Sequence, residues 1–397
     1  MVDLIRPPSP VRGPLSTRSE RAFDPWWRRI DWVLAVATVV LAVVGSLLVW
    51  SATRVAQIDA GADPRYYFKR HLLNFALGAV LGVIVSAVDY RVLRRSASLV
   101  YLASCLGLLA VLAIGTTING AHSWIRLPAG FELQPSEFAK LGLIVSIALL
   151  LAERRRRDDL RHGLDVPLAL ALAAAPMGLI MLQPDVGTVF VFVFVIFAML
   201  SVAGVSWRWI VGLVAAGVVV AYLSVSLHIL KSYQLDRFRA FTNPAEQQLG
   251  AGYNVHQAKI AIGAGGLTGT GLFHGSQTNG RFVPEQQTDF IFTVAGEELG
   301  LLGAGAVIVL FGLVLWRALR IAGHSPDLFG RLVGVGIAGW FICQIFINIG
   351  MALGIMPVTG LPLPFLSYGG SAMFANCIAV GMLQNVHMRN AIAPSHV

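Results

Sequence analysis

The chain has 397 residues, of which 56% are hydrophobic and only 13% charged. That balance excludes a soluble globular domain and predicts an all-α integral membrane protein in which one bundle of spanning helices absorbs most of the length. The net charge of +9 would suggest nucleic acid in a soluble protein, but the arginines cluster at the ends of apolar runs, so the charge reads as membrane orientation and no nucleic-acid partner is expected. Cys105, Cys343 and Cys377 lie inside apolar runs without paired spacing, which implies neither a disulfide framework nor a zinc site.

Residues 1–29 are expected to form a solvated cytoplasmic tail: Pro7, Pro8, Pro10 and Pro14 break any periodicity, and Asp24-Pro25 leads into an interfacial anchor of Trp26, Trp27, Arg28, Arg29 and Trp32. Ten apolar runs follow within a membrane domain of residues 30–388, at about 30–53, 71–88, 97–115, 137–152, 165–182, 186–204, 208–228, 290–316, 331–353 and 371–387, and residues 389–397 form a second cytoplasmic tail. The first run is long enough to span, so it is not a removed signal peptide. Gln183-Pro184-Asp185 reads as a tight turn between antiparallel helices. With the N-terminus inside, Arg91, Arg94, Arg95, the run Arg154 to Arg157, Arg161, Arg317 and Arg389 all fall on the cytoplasmic side. Segments 116–136, 183–185, 229–289 and 354–370 then lie outside, and every distinctive polar motif falls in or next to them.

The first outer segment ends in Gln134-Pro135-Ser136-Glu137-Phe138-Ala139-Lys140, a helix start with Ser136 as the expected cap. Glu137 and Lys140 share a helical face, and a lysine one turn into a span needs a partner, so a structural pair and a substrate site are equally open. Trp124 suits an interface aromatic. The large loop 229–289, between the seventh and eighth spans, is far longer than a connector requires. Its Lys231, Arg237, Arg239, Lys259 and Arg281 predict a cationic lining suited to a diphosphate, with attraction to anionic lipid the simpler alternative. Val255, Ala258 and Ile262 recur at helical spacing, which predicts a short helix on the membrane surface, and the glycine-rich stretch Gly263 to Gly271 reads as flexible backbone. The uncharged, proline-rich loop 354–370 survives at membrane depth only if packed in protein or lining a cavity, so it is expected to re-enter the bilayer.

The stretch from Arg281 to Gly300 turns a polar loop into an apolar helix, with Asp289 at the junction. A carboxylate at the lip of a span is partly desolvated yet reachable from water, which favours a general base; its simpler role is a helix N-cap.

Six motifs in order resemble the SEDS family (shape, elongation, division, sporulation), the ten-span enzymes that polymerise peptidoglycan from lipid II: Asn119 to Trp124, Gln134 to Lys140, Gln183-Pro184-Asp185, Tyr233 to Pro244, Val283 to Phe292 and Pro357 to Gly370. The short tails and the form Thr359-Gly360-Leu361-Pro362-Leu363-Pro364 are most like the elongation branch, with the division branch the near alternative. One departure is Ser123, where many members carry arginine; Arg126 is the candidate to supply that charge. The resemblance implies a ten-transmembrane-helix bundle in the bacterial cell membrane, an inverting peptidoglycan glycosyltransferase with Asp289 as catalytic carboxylate, and substrate-binding candidates Trp124, Arg126, Glu137, Lys140, Tyr233, Arg237, Lys259, Glu285 and Ser367. It also implies lipid II and the nascent glycan strand as ligands, and a class B penicillin-binding protein and the elongation machinery as partners. The partner's span is expected against the eighth and ninth helices, where Gly303, Gly305, Gly312, Gly334, Gly336 and Gly339 supply small-residue faces. Arg237, Lys140, Arg126 or a divalent cation (Mg²⁺ or Mn²⁺) would offset the charge on the departing diphosphate. A lipid II flippase is the competing reading, although transport of a charged headgroup would place ionisable residues near the midplane and here they crowd one side.

Overall fold

A computed structural model describes residues 26–118, 121–156, 162–226 and 250–390. Most of both tails, part of the basic run at Arg157 and Arg161, and Lys231, Tyr233, Arg237 and Arg239 lie outside the described residues. The bundle is built from α1 (Trp32–Asp59), α2 (Tyr66–Ala87), α3 (Ala97–Ile114), α4 (Pro135–Arg156), α5 (Asp165–Leu182), α6 (Val186–Val202), α7 (Trp207–Ser226), α8 (Ile291–Gly323), α9 (Leu328–Leu353) and α10 (Gly370–Asn390). Seven of these, α1 to α5, α8 and α9, are long and apolar enough to cross a bilayer. The apolar stretches of α6 and α7 are shorter, and α10 is interrupted by Asn376, Gln384, Asn385 and His387. A small antiparallel sheet, β1 (Thr116–Ile118), β2 (Ala121–Arg126) and β3 (Glu132–Leu133), stands where a plain loop was expected between α3 and α4.

Helix α1 starts at Trp32, within two residues of the expected start of the first run, and Asp31 is its cap. Its carboxylate accepts from the Leu34 amide at 3.1 Å and receives Nε of Arg317 from α8 at 2.7 Å. Gln384 of α10 exchanges two hydrogen bonds of 2.9 Å with the Asp31 backbone. One acid thus caps its own helix and binds two others. The interior belongs to α4 and α9, whose residues are mostly buried, while α2 and α3 show most of their surface to lipid. Gly334, Gly336 and Gly339, small-residue faces suited equally to a partner helix or to packing within the bundle, serve the second and lie against Ala322, Ile144 and Ala198. On α8, Gly305 and Gly312 open onto free space.

Two expectations for the outer loop are corrected by packing. The apolar stripe of the helix Ala251–Ala264 meets protein and not lipid: Val255, Ala258 and Ala261 are buried against α8 and α9. The glycine-rich stretch is fitted and not slack. Helix α8 breaks at Gly300, at φ 67° and ψ −169°, and the carbonyls and amides freed there bond with the incoming segment. Thr270 and Gly271 amides donate to the Glu297 and Glu298 carbonyls at 3.0 Å each, and the Leu301 and Leu302 amides donate to the Gly266 and Leu267 carbonyls at 2.9 and 3.1 Å. Backbone at this depth must satisfy its polar groups within the protein, and only glycine lets two main chains approach this closely. The side chains of Glu297 and Glu298 complete the seam: Glu297 accepts from the Gln277 and Thr278 amides at 2.7 and 2.8 Å, and Glu298 from the Ser51 hydroxyl at 2.5 Å and the Phe273 amide at 3.1 Å.

The loop between α9 and α10 is buried, as its composition requires. Leu363, Phe365 and Leu366 are shielded from solvent, and a side chain on Gly45, midway along α1, would meet the Leu366 Cα at 2.6 Å. The segment therefore reaches into the bundle beside the middle of α1.

At Gly300, alanine would bring a Cβ to 2.7 Å from the Leu267 carbonyl oxygen at a positive φ. Gly300→Ala is expected to destabilise the fold by about 1–3 kcal/mol or more, read as a lowered thermal midpoint of the purified protein; an unchanged midpoint would show that the seam does not hold the outer segment.

Candidate active site

A cavity of about 360 Å³ opens among the ends of α2, α4, α6 and α10, the small sheet, and the two non-helical segments 285–289 and 357–362. Each wall follows from a local device. Pro135 occupies the first turn of α4, where its missing amide is not needed, and the Gln134 amide donates to the Ser371 hydroxyl at 2.9 Å. Ser136, the expected cap, instead has a buried hydroxyl with no partner among the described residues. The turn at Gln183-Pro184-Asp185 forms as expected, and Asp185 caps α6, accepting from the Thr188 amide at 3.0 Å and its hydroxyl at 2.7 Å.

Asp289 is presented by a tight turn. Glu285, at φ 50°, gathers the amides of Thr288, Asp289 and Phe290 onto its single carbonyl at 3.2, 3.0 and 3.3 Å. The N-cap position of α8 then falls on Phe290, not on Asp289, so Asp289 stands ahead of the cap on the cavity wall. It is partly buried. Gly360, at φ 76°, lies against it: a Cβ there would sit 3.3 Å from the Asp289 Oδ2. The segment is tied at each side by neutral groups. Gln286 donates to the Ala52 and Thr278 carbonyls at 3.0 Å each, the Tyr368 amide donates to the Gln287 carbonyl at 2.9 Å, and Asn348 donates to the Asp289 carbonyl at 2.7 Å. Tyr368 lies in the loop ahead of α10 and lines the cavity, its ring edge-on to that of Tyr67.

Of the candidates from sequence, Trp124, Glu137, Glu285 and Asp289 meet around this cavity. Lys140 does not line it. Its ammonium is fully buried, paired with Glu137 at 2.8 Å and held 4.5 Å from the centre of the Trp340 ring, so its charge is neutralised within the protein. Arg126 is exposed and off the cavity, and therefore does not replace the charge missing at Ser123, which is buried on the cavity wall. Ser367 shapes its own loop by accepting from the Leu363 amide at 2.8 Å. Lys259 is exposed and lies against Gly354.

Of the expected cationic lining, Lys231, Arg237 and Arg239 lie outside the described residues, and neither Lys259 nor Arg281 reaches the cavity. Arg281 pairs with Asp59 at the end of α1, and the cavity carries Glu132, Glu137, Asp185, Glu285 and Asp289. The described cation on its wall is Arg70, one turn into α2, with its guanidinium 4.9 Å from the centre of the Phe131 ring. Arg70 escaped sequence reading because it follows Lys69 at the edge of an apolar run and looks like an interface arginine; what marks it is the approach of Gly130 and Phe131, in the connection between β2 and β3, to its guanidinium. No group of three or more His, Cys, Asp or Glu placed to hold a metal ion occurs among the described residues.

With that geometry in hand, likeness to known proteins is informative. The family model described as a cell cycle protein, covering FtsW, RodA and SpoVE, matches residues 31–392. The probable peptidoglycan glycosyltransferase FtsW of Trichlorobacter lovleyi is 38% identical over 366 residues, 92% of this chain and 94% of that one. The peptidoglycan glycosyltransferase MrdB of Escherichia coli K12 is 35% identical over 366 residues, 91% of this chain and 95% of its own. Among solved structures, a chain of a peptidoglycan synthase complex, described for its structural coordination of polymerization and crosslinking, superposes with a TM-score of 0.75 at 32% identity, covering 91% of this chain and 98% of that one. The rod shape determining protein RodA of Thermus thermophilus superposes with a TM-score of 0.67 at 31% identity, covering 91% and 98%.

Proposed function

The chain belongs to the SEDS family of FtsW, RodA and SpoVE and is a peptidoglycan glycosyltransferase, and from that premise we propose that it polymerises lipid II into β-1,4-linked glycan strands with Asp289 as general base. The observation that carries this reading is the placement of Asp289: partly buried, on the wall of a cavity, ahead of the helix cap and against the bare backbone of Gly360. A sugar hydroxyl is a weak nucleophile at neutral pH, and a positioned carboxylate that takes its proton contributes roughly 10²- to 10⁴-fold. The 4-hydroxyl of the incoming N-acetylglucosamine attacks the anomeric carbon of the strand's terminal sugar. The bond from that carbon to the lipid diphosphate breaks, the proton passes to Asp289, and undecaprenyl diphosphate leaves. An α-linked donor giving a β-linked product needs one displacement with inversion, hence one base and no covalent intermediate, by analogy with inverting glycosidases. Arg70 stabilises the departing diphosphate from the α2 side, with Arg237, outside the described residues, as a second cation.

We read α1 to α10 as ten spans in the bacterial cytoplasmic membrane, seven of them long and apolar enough to cross by themselves, with both termini inside from the distribution of arginines. Within the family we assign it to elongation from the Thr359 to Pro364 form, because identities of 38% and 35% to FtsW- and MrdB-named relatives do not separate the roles. A single-span class B penicillin-binding protein fits the outward face of α8, where Gly305 and Gly312 are open beside exposed Leu301, Leu302 and Val309. In cells, depletion should produce rounding, and a cysteine at Gly250 should label from outside while one at Arg157 labels only after permeabilisation; filaments, or the opposite sidedness, would overturn these assignments.

Asp289→Asn keeps size but cannot take a proton, so purified enzyme should lose glycan ladders while still binding lipid II and its partner. Wild-type ladders from Asp289→Asn would remove the base. Recovery of activity in excess Mn²⁺ would give Asp289 a metal-holding role instead, since an amide is the poorer ligand. Lipid II movement in sealed vesicles without ladders from the wild type would favour the flippase.

A further inference from the structure

Asn348 sits in α9 and is fully buried, at 0% exposure. Its side-chain nitrogen donates to two backbone carbonyls, that of Asp289 at 2.7 Å and that of Leu361 at 2.7 Å. These belong to the two non-helical segments that form facing parts of the cavity wall, 285–289 and 357–362. Two carbonyl oxygens converging on one point require a nitrogen bearing two hydrogens, which a carboxylate, hydroxyl or thiol cannot supply. The amide oxygen of Asn348 is buried with no partner among the described residues. An unsatisfied buried acceptor is destabilising, so the position is held for its two donors.

The consequence falls on the reactive group. One of the two carbonyls is that of Asp289 itself, and Leu361 adjoins Gly360, whose backbone packs against the Asp289 carboxylate. The distance between these segments therefore fixes where the carboxylate points, and Asn348 is the side chain that bonds to both. Gln344, one turn earlier in α9, reinforces only the second segment, donating to the Pro362 carbonyl at 2.6 Å. We propose that Asn348 is a positioning residue for glycosyl transfer, a two-pronged clamp that sets the Asp289 carboxylate in line with the acceptor hydroxyl. This rests on the reading of Asp289 as the base.

A buried asparagine can also be purely structural, and the molecule contains its own control. Asn385 in α10 is equally buried, and its nitrogen donates to the Val85, Ser86 and Val88 carbonyls at 2.9, 3.0 and 2.7 Å, at the far end of α2 from the cavity. Breaking either clamp costs stability; only the Asn348 clamp touches the base.

The test measures kcat and KM for lipid II with the full chain bound to its transpeptidase partner, alongside thermal midpoints, for Asn348→Asp, Asn348→Ser, Asn385→Asp and Asp289→Asn. Misplacing a reactive group by about 1 Å costs on the order of 100-fold, so Asn348→Asp, which turns oxygens onto carbonyls, should lower kcat by about that factor with KM unchanged. Asn348→Ser keeps one donor and should fall between this and wild type, and it carries the test if the aspartate variant does not fold. Asn385→Asp should lower the thermal midpoint while retaining kcat. Wild-type kcat in Asn348→Ser, or an equal loss of kcat in Asn385→Asp, would overturn the proposal. An active Asp289→Asn would instead remove the base on which it rests, whereas an inactive Asp289→Asn beside full turnover in the Asn348 variants would remove the clamp alone.

Discussion

The cavity wall is made of backbone that has left its helices near membrane depth, and every carbonyl there must find a donor inside the protein. Neutral amides do this work. Gln344 satisfies Pro362 and Asn348 satisfies Asp289 and Leu361 on the wall, while Gln286 ties the same segment to the carbonyls of Ala52 in α1 and Thr278 behind it. An ion in the same place would need a counter-ion and its own desolvation, whereas an amide meets two carbonyls with no net charge. The electrostatics of the site are thereby left to the groups on its surface, chiefly Arg70 and the carboxylates.

That division separates two uses of acid. Glu297 and Glu298 follow Asp289 closely in sequence and are fully enclosed, bound to backbone amides of the outer segment. They are anchors. Asp289 is less deeply buried and faces the cavity. Glu137 is intermediate: it lines the cavity, but its partner Lys140 is enclosed with it, next to Trp340 and within 3.5 Å of Gln344. The pair therefore connects the cavity wall to the same α9 segment that carries Gln344 and Asn348.

Much of this architecture was legible in the sequence because hydropathy and turn chemistry are local. The ten apolar runs correspond to α1 to α10, the Gln183-Pro184-Asp185 turn forms, and the uncharged loop 354–370 is buried. What escaped is what depends on distant partners. The stripe of Val255 and Ala258 signals an amphipathic helix equally well whether its face meets lipid or α8. The glycines from 263 to 271 signal conformational freedom, but not the break at Gly300 that they fit. Arg281 and Lys140 have the charge a diphosphate requires, yet Asp59 and Glu137 take them first, while Arg70 meets Gly130 and Phe131 across a sequence distance that no periodicity announced. Asn348 is one polar residue in an apolar helix, and its meaning lies in two carbonyls at sequence separations of 59 and 13.

The central claim is that the Asp289 carboxylate meets the acceptor sugar and not the diphosphate. A structure of the chain with its partner and bound lipid II measures this directly. The account predicts the 4-hydroxyl of the acceptor N-acetylglucosamine within hydrogen-bond distance, about 2.6–3.2 Å, of the Asp289 carboxylate, with the diphosphate of the donor against Arg70. A diphosphate held at Asp289 through a metal ion, with the acceptor hydroxyl out of its reach, would contradict it.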